Sequence, residues 1–370
     1  MKKLISLLII LSTLLCLTAC NKYEPVPSTE EESRVVMTLS LDGKKYEVKY
    51  ELYRALFLTY KSYVDGGDSS VWSGDNNGEY IEKIKAMIVS RITDIYAALH
   101  HAQTLGIDMY SSSVNSQIKE YIKLSVEGGV YGEQTIVGHG SYDAYLESLA
   151  KSGMNYSVSE LIYRYGIAID LITEHYAGTL NEMGTALEGG ALEYTEDDVK
   201  SFYNSDDSVR YMSAFVQSVY PGAYERAVAL RNAMLAKAGN DEAVAITIIS
   251  NSLSSAVDVK RGTLIGRYSL DEENYGAITK VAFSTSLSSV SDIIEITAGD
   301  EPGFFILYPI AKTDAHLEEN YADIALTYVE NEIGKKLLDV QTALTESVGI
   351  TSVLESLDYS TITYPTVNRK

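Results

Sequence analysis

From Tyr80 to about residue 183 apolar side chains recur every third or fourth position, and that period most constrains what this chain can become. In YIEKIKAMIVSRITDIYAALHHAQTLG, Ile81, Ile84, Ile88, Ile92, Ile95 and Leu99 fall on successive turns, predicting one long helix that stops at Gly106. Further helices are expected at about 112–126, 141–151 and 157–183, with Ser157 to Glu160 as a capping box for the last. Such a stretch disfavours a two-lobed solute-binding lipoprotein, which needs repeated strand–helix alternation.

The flanks have a different texture. VVMTLSLDGKKYEVKYELYRALFLTYKSYV predicts a strand, a tight Asp42-Gly43 turn, a second strand, and a helix carrying Leu52, Leu56, Tyr60 and Tyr63. GGDSSVWSGDNNGEY is expected as a polar loop, and the Gly-rich GTALEGGALEYTEDDV as a boundary where Thr195 caps a new acidic helix. Beyond it come a strand at 209–219, helices at 222–238 and about 241–254, and a short helix into Val281-Ala282-Phe283. Two strands then surround a Gly-Asp-Glu-Pro-Gly turn, and helix returns from His316 to about Leu344. The fold class expected is α+β.

The first residues read as a secretory signal, with Lys2 and Lys3 ahead of an apolar run from Leu4 to Leu17. Leu17-Thr18-Ala19-Cys20 resembles the lipobox of bacterial lipoproteins, which implies cleavage before Cys20 and a diacylglycerol thioether on its sulfur. The proline-containing acidic stretch up to residue 34 is expected to act as a tether lifting the folded part off the membrane. Cys16 leaves with the signal, so the mature chain has no disulfide and must be held by buried apolar surface. Thirty Lys and Arg stand against 51 Asp and Glu, and removing Lys2 and Lys3 takes the net charge from −21 to −23. That surface repels nucleic acid and suits solubility or cationic polypeptides.

Chemistry-bearing residues are few. The five histidines are His100, His101, His139, His175 and His316, with none between residues 195 and 315. Adjacent His100 and His101 cannot face one ligand, and His139 is expected in a solvent-facing turn, so no metal site is predicted. The acids of Thr195-Glu196-Asp197-Asp198 are those of a helix start. G-x-S-x-G is absent, and VEGGVYGEQ lacks the spacing and the preceding strand of a phosphate loop. Tyrosine is abundant, 29 residues against six Phe. Tyr50, Tyr53, Tyr60, Tyr63, Tyr121, Tyr163, Tyr165 and Tyr176 fit either polypeptide recognition or ordinary packing in place of Phe.

The order of segments resembles the parvulin-type foldases, the PrsA-like lipoproteins and their SurA-like relatives. VVMTLSLDGKKYEVKYELY resembles the family's opening strand, turn and first helix, and LHHAQTLGID the close of its second long helix. YDAYLESLAKSGMNYSVSELIYRYGIAIDLI resembles its helical pair, and EYTEDDVKSFYNS the helix entering the parvulin domain. VAFSTSLSSVSDIIEITAGDEPGFFIL resembles the close of that domain, and HLEENYADIALTYVENEIGKKLLDV the returning helix of the chaperone core.

The resemblance implies a mainly helical, SurA-like chaperone domain and a small parvulin-like (FKBP-like) α+β domain. Its boundaries fall at 1–19 for the signal, 20–34 for the lipidated tether, 35–190 for the helical domain, 195–315 for the parvulin-like domain, and 316–370 for the returning helix and tail. The family's two histidines fall on Tyr211 (or Met212) and Phe305, the Phe of its apolar floor is kept as Phe283, and Arg261 to Gly266 keeps only part of its Gly-rich loop. The parvulin-like domain is therefore degenerate, with Tyr211, Met212, Phe283 and Phe305 as peptide-binding candidates, no catalytic residue assigned and no cofactor. The implied function is a membrane-anchored extracytoplasmic chaperone or foldase acting on unfolded or nascent secreted polypeptides, with a homodimer left open. The alternative is an active peptidylprolyl isomerase with a rearranged, histidine-free site.

Overall fold

The computed structural model describes residues 23–73, 77–131, 134–180, 187–251, 262–269, 275–296 and 303–367. Cys20, the signal, Arg261 and the turn residues 299–302 lie outside them. In chain order the first elements are β1 (Val35–Leu41), β2 (Lys44–Lys49), α1 (Tyr50–Asp65), α2 (Gly78–Thr104) and α3 (Ser112–Glu127). Next come β3 (Gly129–Tyr131), β4 (Gln134–Ile136), α4 (Tyr142–Lys151), α5 (Tyr156–Ala177), β5 (Gly178–Leu180), β6 (Leu187–Gly189) and α6 (Glu196–Asn204). The sheet region holds β7 (Ser208–Gln217), α7 (Ala223–Leu235), α8 (Asp241–Asn251), β8 (Thr263–Gly266), α9 (Tyr275–Ser284), β9 (Ile294–Ile296) and β10 (Gly303–Pro309). The chain closes with α10 (Asp314–Glu319), α11 (Tyr321–Glu346), β11 (Gly349–Ile350) and α12 (Ser352–Glu355). The molecule is α+β, as expected, and none of the described helices is long and apolar enough to cross a membrane.

Two compact units result, one of residues 1–172 with 336–370 and one of residues 173–335. The divisions fall inside α5 and α11, not in the Gly-rich connection where the composition changes.

In the first unit, positive φ at Asp42 and Gly43 makes the tight turn that joins β1 to β2. The strand β11 adds to the other edge of β1, with Met37 opposite Ile350 and Thr38 opposite Gly349. The expected stripe on α2 is buried from Ile84 through Ile88, Ile92 and Ile95 to Leu99. On α1 the expected stripe holds at Leu52 and Leu56, but the helix turns Tyr53 and Phe57 inward and leaves Tyr63 exposed. The expected polar loop after it carries a 3-10 turn, Ser69–Trp72, and buries the chain's single tryptophan. Trp72 Nε1 donates to Asp65 Oδ2 at 2.7 Å, and its ring meets Phe57 at 5.1 Å and Tyr359 at 6.5 Å. Asn155, not Ser157, caps α5, its Oδ1 accepting from the Val158 amide at 3.0 Å. The Ser157 hydroxyl donates instead to Glu51 on α1 at 3.0 Å.

In the second unit, an antiparallel sheet of order β8-β7-β10-β9 is built on the long pairing of β7 with β10. Alternation along β7 sends Met212, Ala214 and Val216 to one face and Tyr211, Ser213 and Phe215 to the other. The first face packs on α7 and α8 through Ala227, Leu230, Met234, Val244 and Ile248. The second packs on α9 through Ile278 and Ala282. Thr195 caps α6 as expected, in a reciprocal box with Asp198. The region read as one helix from His316 to about Leu344 is two, broken at Asn320.

Candidate functional site

The register of β7 with β10 sets Phe215 opposite Phe305 and Tyr211 opposite Pro309. Both side chains of β7 therefore flank Phe305 on the α9 face, with ring centroids 6.4 Å from Tyr211 and 6.3 Å from Phe215. Phe283, from the last turn of α9, joins the same cluster and stays half-buried. The Arg267 guanidinium lies over its ring at 4.3 Å and is held there by Asp207 and the Asp206 carbonyl.

Three of the four candidate residues, Tyr211, Phe283 and Phe305, thus come together. Met212 does not, because one residue along a strand changes the face, and it packs against α7 and α8. Tyr211 and Phe305 are core residues beneath α9 and present almost no surface. The accessible part of this aromatic face is Phe283, Phe215 and the Arg267 guanidinium. Phe215 was not a sequence candidate, although its place two residues beyond Ser213 and four beyond Tyr211 puts it on the same face.

Ser213 sits between Tyr211 and Phe215 on this face, opposite Leu307. It is buried, and its hydroxyl has no hydrogen-bond partner among the described residues. No histidine contributes to this unit's sheet: His316 lies on α10, where its Nδ1 meets the Tyr203 hydroxyl at 3.1 Å. Proton transfer by imidazole is therefore absent from the aromatic face, which offers desolvation and aromatic contact with a cation at its edge.

The first unit carries a separate polar cavity of about 700 Å³, lined by Thr29, Glu32, Arg34, Tyr50, Arg54 and Asp358 among others. Both of its arginines are paired within the wall, Arg54 with Glu32 at 2.7 Å and Arg34 with Glu31 at 3.3 Å. Burial alone pushes the Glu32 carboxyl up, but the Thr29 amide and the Arg54 guanidinium together hold it below the usual carboxylate range. The segment expected as tether thus reaches into the fold, with the Ser28 hydroxyl also donating to buried Glu51.

Among the described residues no group of three or more His, Cys, Asp or Glu side chains is placed to hold a metal. His100 is buried between the Tyr46 hydroxyl at 2.8 Å and Asp42 Oδ2 at 3.1 Å, and His139 is exposed. The tyrosines divide as well. Tyr50, Tyr53 and Tyr165 are core, Tyr60, Tyr121, Tyr163 and Tyr176 are half-buried, and Tyr63 is exposed. Packing explains the core set: the Tyr53 and Tyr359 hydroxyls meet at 2.8 Å, and burial pushes the Tyr359 phenol up to about 12.

No family model matches this chain, and no curated protein does. Solved structures do. The chain is similar to the foldase protein PrsA from Streptococcus pneumoniae str. Canada MDR_19A, at 12% identity over 85% of this chain and 96% of that one, with a TM-score of 0.31. It is also similar to the foldase protein PrsA from Lactococcus lactis, at 12% identity over 90% of this chain and all of that one, with a TM-score of 0.24. Superpositions this loose carry no argument about site or activity.

Proposed function

We propose that this chain is an extracytoplasmic chaperone of the foldase kind, anchored through a lipid on Cys20, that holds unfolded segments of secreted polypeptides. The observation that supports this is the α9 face of the second unit's sheet, an apolar aromatic cluster that contains no histidine. Rotation about an X-Pro amide meets a barrier of about 18–20 kcal/mol and breaks no covalent bond. An apolar surface lowers it only by favouring the twisted amide over the planar one. Phe283 and Phe215 are the accessible rings for that contact, and the Arg267 guanidinium is placed to donate a hydrogen bond to a peptide carbonyl. With Tyr211 and Phe305 used up as core, the surface is better suited to holding a chain than to turning an amide.

The test uses the chain from residue 21 onward. Suppression of aggregation of an unfolded secreted protein, lost in Phe283→Ala, together with no acceleration of cis–trans exchange of an X-Pro peptide by NMR, is the expected result. Accelerated exchange that drops in Phe283→Ala establishes the isomerase reading instead. Unchanged aggregation in the presence of the native chain sinks the holding reading, and with no acceleration of exchange it sinks both.

A further inference from the structure

The first described residue is bonded to the fold. The Tyr23 hydroxyl donates to Glu127 Oε1 at 2.5 Å, at the last residue of α3. Its ring meets Tyr142 at 5.4 Å, and the Tyr142 hydroxyl donates to the Glu24 carbonyl at 2.6 Å. Chain that is held at residue 23 cannot serve as a long spacer. Two residues separate Cys20 from Tyr23, and the three extended steps between them span at most about 11 Å.

The hairpin of β3 and β4 begins two residues after Glu127, at Gly129. Gly128 and Gly138 fix its base, since a Cβ on Gly138 would lie 2.1 Å from the Gly128 nitrogen. Among the described residues, two of the most exposed large apolar side chains lie here, Val130 on β3 at 68% and Val137 just past β4 at 89%. Exposed valines are ordinary taken singly, but two on one short hairpin beside an anchor point are not.

We infer that the β3–β4 hairpin of this chain is a membrane-contacting element, seated in the headgroup region of the bilayer that holds the lipid on Cys20. The occupant follows from chain length: an anchor within about 11 Å of the Tyr23 backbone, whose hydroxyl meets Glu127 at the end of α3, keeps the surface it enters near the adjoining hairpin. Tyr23 and Tyr142 have the amphipathic rings that favour a membrane interface. Contact replaces the water around Val130 and Val137 with lipid, and two apolar side chains reinforce an attachment that the acyl chains provide. This rests on the lipidation of Cys20 proposed above, and the test separates the two.

The mature chain from Cys20 to Lys370 has one thiol, which is coupled to zwitterionic vesicles through a maleimide lipid, imposing the anchor whatever the cell does. Val137→Trp is introduced, with acyl-brominated lipid as quencher. Buried Trp72 in the native chain is the reference. The expected result is that fluorescence from position 137 falls by about half on coupling, as for a side chain about 5–10 Å inside the headgroup boundary. Amides of residues 129–137 should also exchange more slowly with deuterium than in the thiol-capped chain. Quenching no greater than that of native Trp72, with unchanged exchange, overturns the hairpin contact. Lipidation is read separately, by incorporation of labelled fatty acid into the full chain and its loss in Cys20→Ala, and failure there removes the anchor without touching the vesicle result.

Discussion

Glu32 belongs to an acidic run, Glu30-Glu31-Glu32, that reads locally as solvated chain, yet it is buried against Arg54. The Thr29 amide accounts for one carboxylate oxygen locally, but the Arg54 guanidinium that pairs with the other lies one turn into α1, outside the window around residue 32. Its pKa lies below the ordinary 4.5, so folding binds the deprotonated form more strongly than the unfolded chain does. The stability it contributes is complete above pH 4.5 and is lost as pH falls through the lower, folded value. Glu32→Gln should therefore unfold in less urea at pH 7, by about 3 kcal/mol for a broken buried pair, and the gap to the native chain should narrow below pH 4. Ser213 carries the opposite sign. Its orphan hydroxyl costs about 1–3 kcal/mol of desolvation, and Ser213→Ala should raise stability by about 1 kcal/mol in the same urea titration. Strand alternation gives the face on which Ser213 lies, but the helix that buries it arrives from far along the chain.

Elements were legible wherever one period ran uninterrupted. The stripe of α2 from Ile84 to Leu99 and the cap at Thr195 follow from spacing and local hydrogen bonding, and both stand as expected. The start of α5 was misread because Asn155 and Ser157 are both competent caps, and the choice was made by Glu51 on another helix. Phe215 was missed for a related reason: histidine positions drew attention to Tyr211 and Phe305, while register decides which rings meet. Gly334, in α11, is a position where helical pattern says little and packing says everything. A Cβ there would lie 1.5 Å from the Tyr268 carbonyl oxygen. Gly334→Ala should cost about 3 kcal/mol or more, seen as a lower urea midpoint, because backbone and not a flexible side chain must move.

At the scale of the molecule, the change of texture near residue 190 suggested a boundary, yet the division falls within α5 and α11. Helical periodicity continues through both, so nothing in the local pattern marks where a helix changes partners. The whole-chain charge of −21 is legible and has a direct consequence. Raising ionic strength from about 0.01 M to about 0.15 M shortens the screening length from about 30 to about 8 Å. Self-repulsion then weakens, and the melting temperature should rise in calorimetry; a fall would mean that attractive surface pairs dominate. The strand β11 has a consequence in time. Thr38 pairs with Gly349, the Thr351 amide donates to the Val36 carbonyl, and Tyr53 meets Tyr359, so the first unit is finished by residues made about 300 positions after β1. In a polypeptide made amino end first, residues 173–335 are available to fold while β1 still has a bare edge. The first unit must itself wait, with an unpaired strand on show, until residue 350 arrives.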